Sequence, residues 1–148
     1  MGIVDDFRGN VIGLDTTPLI YFIEKNARYH PVIRPFFVAL DQEHFRVVTS
    51  VITLVETLIH PLRHNQHELA SRYRRILLNT PQITTFNVSP DIAQKAAEIR
   101  AVYQIRTPDA IQLATALQGG ADFFLTNDHA LKKFPAVDVI VVEDLLSG

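Results

Sequence analysis

Five short apolar runs, each followed by a segment of helical periodicity or by a turn, constrain this chain more than any other feature. The runs are residues 11–14 (VIGL), 45–49 (FRVVT), 83–88 (ITTFNV), 123–126 (FFLT) and 137–142. The first is short and apolar, as suits a strand buried on both faces, and the last is a run rich in β-branched residues. Between them lie predicted helices over 16–24, 31–40, 50–59, 67–78, 91–103 and 107–117. Thr16 or Thr17 is the expected cap of the first and Thr107 of the last, while Pro61 is expected to stop the third and Gly119-Gly120 to end the last. Strands alternating with helices predict an α/β fold with a mainly parallel sheet of about five strands.

Composition narrows the function classes. The 148 residues suit one domain spanning 1–148, with 47% hydrophobic residues and a net charge of -2 excluding a disordered chain. The absence of cysteine removes disulfides, thiolate nucleophiles and Cys-based zinc sites. The N-terminal segment MGIVDDFRGN carries acids where a signal peptide needs basic and apolar residues, and no apolar run is long enough for a membrane span. A cytoplasmic protein without a membrane partner is the expectation. The weakly acidic total neither suggests nor excludes a nucleic-acid partner, because committing four acids to a metal leaves the rest weakly basic.

Four acids fall on one side of the expected sheet. In a βαβ unit, helix N-termini lie at the C-terminal edge of the strands, where ligands of open sheets bind. Asp15 follows the first strand, Asp128 lies just beyond the fourth, and Asp109 sits in the first turn of the helix over 107–117. Glu56 lies about 9 Å along the axis of the helix that follows the second strand. Asp15 and Asp109 singly could serve helix starts, and Asp128 a turn. Glu56 is expected to be buried, because SVITLVETLI is apolar almost all round. Thr53, Glu56 and His60 form its one polar stripe, so a Glu56–His60 pair or a solvated stripe is the plainer alternative. Two carboxylates 4 Å apart repel by about 4 kcal/mol at an effective dielectric near 20. Few basic residues lie close to the four acids in sequence, though Arg106 and Lys132 could approach. A hard divalent cation, Mg²⁺ or Mn²⁺, is the usual resolution, and it suits phosphodiester hydrolysis by lowering the pKa of water and neutralising phosphate charge.

The local sequences LDTTPLIYFIE, SVITLVETLIHPLR, TPDAIQLATAL and FFLTNDHALKKF together resemble PIN-domain ribonucleases, and the chain's length resembles the VapC-type toxins of that family. The resemblance covers nearly the whole chain. It implies a three-layer α/β/α fold and Mg²⁺- or Mn²⁺-dependent endonucleolytic cleavage of RNA, leaving 5′-phosphate and 3′-hydroxyl ends. It also implies a homodimer and a cognate antitoxin. By position, Asp15, Glu56, Asp109 and Asp128 would be the catalytic and metal-ligating residues, with Thr16 and Thr126 supporting them. Asn127 reads as an ordinary variation. Arg72 and Arg75, with Arg74, Arg63, His64 and His67 nearby, are candidate RNA contacts or simply a solvated helix face.

Other readings fit less of the chain. A dehalogenase-type phosphatase needs a second Asp where Thr17 stands, and a receiver domain needs an acceptor Asp that the third strand lacks. No G-x-S-x-G elbow, phosphate-binding glycine loop or H-E-x-x-H zinc motif occurs. A PIN nuclease that processes RNA without being a toxin, a metal-dependent phosphatase and a non-catalytic binding module on a similar fold are the remaining alternatives. The runs 21–23 (YFI) and 36–38 (FFV) suit an apolar interface or the core.

Overall fold

Strand β1 (Val11–Leu14) is the axis of the molecule, because each of its side chains must find cover on one face or the other. The computed structural model describes residues 2–146. The remaining strands are β2 (Arg46–Ser50), β3 (Ile83–Phe86), β4 (Phe123–Thr126) and β5 (Asp138–Val141). The helices are α1 (Ile3–Phe7), α2 (Thr16–Ile23), α3 (His30–Asp41), α4 (Val51–Arg63), α5 (His67–Asn79), α6 (Pro90–Tyr103), α7 (Thr107–Gln118) and α8 (Val142–Leu145). A 3-10 turn occupies His129–Lys133. All strands pair in parallel in the order β3-β2-β1-β4-β5. Among the described residues no helix is long and apolar enough to cross a membrane.

Alternation along the strands divides the core into two. Ile12, Leu14, Val47 and Leu125 face one layer, where they meet Phe7 of α1, Leu19 and Ile23 of α2, Phe36 and Phe37 of α3, and Tyr73 and Leu77 of α5. Phe124, Val139 and Val141 face the other, against Ile92 and Ile99 of α6 and Leu113 and Ala116 of α7. This is the three-layer α/β/α arrangement that the family resemblance implies. Phe36, Phe37 and Ile23 are thereby core residues rather than an interface.

The chain moves outward from β1 through β2 to β3, then returns to place β4 on the other side of β1. The strand order therefore reverses between β1 and β4. A crevice opens outside the strand C-termini at such a switch point. The residues that follow these two strands, Asp15 and Asn127, stand at that crevice.

Several local expectations need correction. Asp15, not Thr16 or Thr17, caps α2 by accepting the Thr16 N–H at 2.9 Å. Arg106 holds the cap position of α7 with no side-chain bond, so Thr107 is already helical. Pro61 lies inside α4, which ends only at Arg63. A proline near a helix end forfeits a single backbone bond, and here the last carbonyls turn instead to His64 N and Gln66 N. The fifth strand stops at Val141, where Val142 begins the short α8. Helix α1 has only five residues, too few for periodicity to reveal, yet its Phe7 ring packs 4.9 Å from that of Phe123.

Gly13 shows how tightly the second layer closes on the sheet. A Cβ there would lie 2.7 Å from Ala116 Cβ and 2.8 Å from a ring carbon of Phe124. Neither neighbour can yield without moving α7 or β4. Gly13→Ala is expected to cost about 1–3 kcal/mol, as overpacking does. At ~2–4 °C per kcal/mol for a chain of this size, calorimetry should show a clear fall in Tm.

Candidate active site

The crevice at the switch point is a cleft of about 390 Å³, and Asp15, Glu56, Asp109 and Asp128 all line it. The central strand delivers Asp15 into it. Asp15 is 8% exposed, and both carboxylate oxygens are committed. Oδ1 accepts the Thr16 N–H at the start of α2, and Oδ2 accepts the Thr126 hydroxyl at 2.7 Å. The helix dipole adds favourable potential at the same place. The Thr126 hydroxyl oxygen in turn accepts the Asp128 N–H at 3.2 Å, tying the end of β4 to the same carboxylate.

Glu56 overturns one expectation. It is exposed, as are Val55, Ile59, His60 and Leu62, whereas Thr53, Thr57 and Pro61 form the buried side of α4. The helix packs through one side only, so its sequence hydrophobicity overstated its burial. His60 does not hold Glu56; its ring lies against that of His64, tilted by 39° with centroids 4.2 Å apart. The Glu56 carboxylate instead accepts the Thr16 hydroxyl at 2.6 Å.

Beneath these carboxylates lies a buried polar network that the sequence did not reveal. Thr49 donates its hydroxyl proton to the Leu14 carbonyl at 2.8 Å, so Thr53, 2.7 Å away, must donate to Thr49. Thr53 then accepts from the Gln112 amide at 2.6 Å. Gln112, 3% exposed, takes the Ser50 hydroxyl on its carbonyl at 2.8 Å and turns its NH₂ group also toward Thr16 at 3.5 Å. Because Thr16 spends its own proton on Glu56, only the NH₂ end of Gln112 can face it. No buried side-chain polar atom among the described residues lacks a partner. A glutamine flanked by Ile111 and Leu113 was the available signal.

The remaining acids differ in their commitments. Asp109 pairs with the largely exposed Arg106 at 3.3 Å. Asp128 accepts the Ala130 N–H at 2.9 Å and so caps the 3-10 turn. Lys132 is drawn to Asp144 at 2.7 Å and does not enter the cleft. Arg72 and Arg75 line a separate surface cavity along α5, which shares no residue with the acidic cleft. Burial pushes the Asp15 carboxyl up to about 6; the hydrogen bonds from Thr126 and Thr16 oppose this, and the charges of Asp109 and Glu56 add to it.

This donor set of carboxylate and hydroxyl oxygens fits a hard divalent cation. Asp15 is desolvated beside two like charges, and the one basic side chain in the cleft, Arg106, is paired with Asp109 rather than Asp15 or Glu56. Among the described residues, however, no three acidic or histidine groups are already drawn together as an ion would hold them. The site is charged for a cation, and its carboxylates are tied to hydroxyls and backbone.

The raised carboxyl has a consequence for stability in metal-free protein. Between the ordinary 3.8 and about 6, folded Asp15 keeps a proton that the unfolded chain has released, so stability falls as pH rises through that window. The full loss amounts to ~3 kcal/mol. Asp15→Asn removes the ionisation, and its Tm in EDTA is expected to gain on wild type between pH 4 and pH 7. A constant difference across that range would refute the assignment.

Comparisons with known proteins agree with this architecture. Residues 12–137 match the family model of the PIN domain. Among solved structures, VapBC2 from Rickettsia felis bound to a DNA fragment from its promoter is similar with a TM-score of 0.68 at 17% identity, over 88% of this chain and 98% of that one. A toxin–antitoxin complex from Klebsiella pneumoniae gives 0.67 at 23% identity, over 89% and 97%. Mycobacterium tuberculosis VapC20, a sarcin-ricin loop cleaving toxin, gives 0.63 at 19% identity, over 77% and 86%. No curated protein matched. With its family match running from the first strand to the approach to the last, the chain belongs to the PIN domain family.

Proposed function

We propose that this protein is a divalent-metal-dependent endoribonuclease of the toxin type, held in check by a cognate antitoxin. The observation that carries this reading is the desolvated Asp15 at the switch point, sharing an acidic cleft with Glu56, Asp109 and Asp128. These four residues would hold Mg²⁺ or Mn²⁺. When bound, the cation supplies neutralisation of phosphate charge and a lowered pKa for water. Thr126 and Thr16 keep the Asp15 and Glu56 carboxylates aimed by donating hydrogen bonds to them. Arg106, exposed and paired with Asp109, can exchange that partner for an RNA phosphate. Arg72 and Arg75, which line a surface cavity on α5, would be further contacts for RNA phosphates.

An antitoxin and a second copy of the chain are the protein partners of this reading. The similar structures from Rickettsia felis and Klebsiella pneumoniae are toxin–antitoxin assemblies. Val55, Ile59 and Leu62 give α4 an exposed apolar stripe suited to a partner chain.

Purified protein incubated with total RNA should give discrete fragments with Mg²⁺ or Mn²⁺ and none with EDTA. Asp15→Asn should abolish them while its circular dichroism stays native, and cutting at the wild-type rate would sink the assignment. In a parallel thermal scan, Mn²⁺ at about 100 times its Kd should add ~2.7 kcal/mol, or roughly 5–11 °C. No shift at saturating Mn²⁺ would remove the shared metal site.

A further inference from the structure

Four residues lining the acidic cleft carry hydroxyls, and they differ in where their protons go. Those of Thr16 and Thr126 are spent on the carboxylates of Glu56 and Asp15. Thr17 makes no hydrogen bond that would fix its hydroxyl among the described residues. Tyr21 is different: its oxygen is held, but its proton is not.

The direction of that bond is fixed by the backbone. The Glu143 N–H, in the first turn of α8, donates to Asn127 Oδ1 at 2.8 Å. A backbone N–H can only donate, so the Asn127 amide cannot be turned over. Its Nδ2 therefore faces the Tyr21 hydroxyl at 2.9 Å and donates to it. The phenol oxygen is an acceptor here, and its proton finds no acceptor among the described residues. The ring itself is braced. Tyr29 stacks on Tyr21 with centroids 4.5 Å apart, and Asn26 Oδ1 fixes Tyr29 by accepting its N–H at 3.0 Å. Arg28 lies 5.6 Å over the Tyr29 ring and closes the assembly by pairing with Glu143 at 2.9 Å.

A preordered O–H donor at the wall of a cleft otherwise lined by acids has one evident use. An anion entering there is repelled by four carboxylates and needs donors that carry no commitment to them. We propose that Tyr21 is a substrate-binding residue that donates its phenol proton to a non-bridging phosphate oxygen of RNA in the cleft, with Asn127 setting the direction of that donation. The proposal rests on the ribonuclease reading above. No bond is broken in it; the phenol keeps its proton throughout.

A mutant cycle tests it. Tyr21→Phe removes the proton and keeps the ring on Tyr29. Asn127→Asp keeps an acceptor for Glu143 N–H but presents a second oxygen to Tyr21, which captures the phenol proton. The RNA is a short single-stranded oligonucleotide containing a site that wild type cuts. Binding is read by fluorescence anisotropy in the Asp15→Asn background, and KM and kcat are read with Asp15 intact. Tyr21→Phe is expected to weaken binding and raise KM about tenfold, as loss of a hydrogen bond to a charged group does, with kcat less affected. In the Asn127→Asp background the same change should cost no more than about twofold, so the added negative charge cancels out of the comparison. An equal effect in both backgrounds, or no effect in either, overturns the proposal while leaving the nuclease reading intact. If wild type cuts no RNA with Mg²⁺ or Mn²⁺, the nuclease reading falls and takes this proposal with it.

Discussion

A carboxylate removed from water at the end of the central strand is the constraint on which the rest of this structure depends. Asp15 can be charged there only if both oxygens are satisfied. Meeting that demand recruits the first N–H of α2 and the hydroxyl that ends β4, on the two sides of β1. The strand order reverses between β1 and β4, so the same geometry opens the crevice and supplies the groups that stabilise its floor. The site is therefore a consequence of the topology, not an ornament on it.

Hydrogen-bond direction organises the layer below. Each hydroxyl has one proton, and the acceptors that cannot donate, the Leu14 carbonyl and the Glu56 carboxylate, decide where those protons go. From these two fixed ends the polarity of Thr49, Thr53, Thr16 and Gln112 follows without choice. Gln112 thereby joins α7 to α2, α4 and the end of β2, with no buried side-chain polar atom among the described residues left unpaired. A satisfied buried network of this kind specifies one arrangement of elements, because moving any helix breaks several bonds at once. On the opposite wall, a backbone N–H plays the same deciding part for Asn127 and Tyr21.

The charge balance of the cleft is the counterpart of that rigidity. The charges of Asp109 and Glu56 add to the cost of ionising the buried Asp15, and the single basic neighbour lining the cleft, Arg106, is largely exposed. On the proposed reading, a cation would meet the carboxylates and a phosphate the donors that remain. A cleft whose surrounding groups are already oriented limits the reorganisation needed when charge develops in it.

What the sequence by itself determined was everything governed by local periodicity and by order along the chain. The parallel α/β architecture, all five strands within a few residues, and the placing of Asp15, Glu56, Asp109 and Asp128 on one edge follow from where apolar runs end and helices begin. Tertiary structure alone decided what stands opposite each side chain. Periodicity reports which residues share a face of α4, but not that only the Thr53, Thr57 and Pro61 side would be covered; Glu56 therefore turned out exposed and bound to Thr16 rather than to His60. Asn127, Gln112 and Tyr21 were unremarkable in sequence because their partners lie 16 to 106 residues away. A hydrogen bond needs its two atoms within about 3 Å and correctly aimed, and for such pairs only the packing of whole layers against the sheet sets that distance.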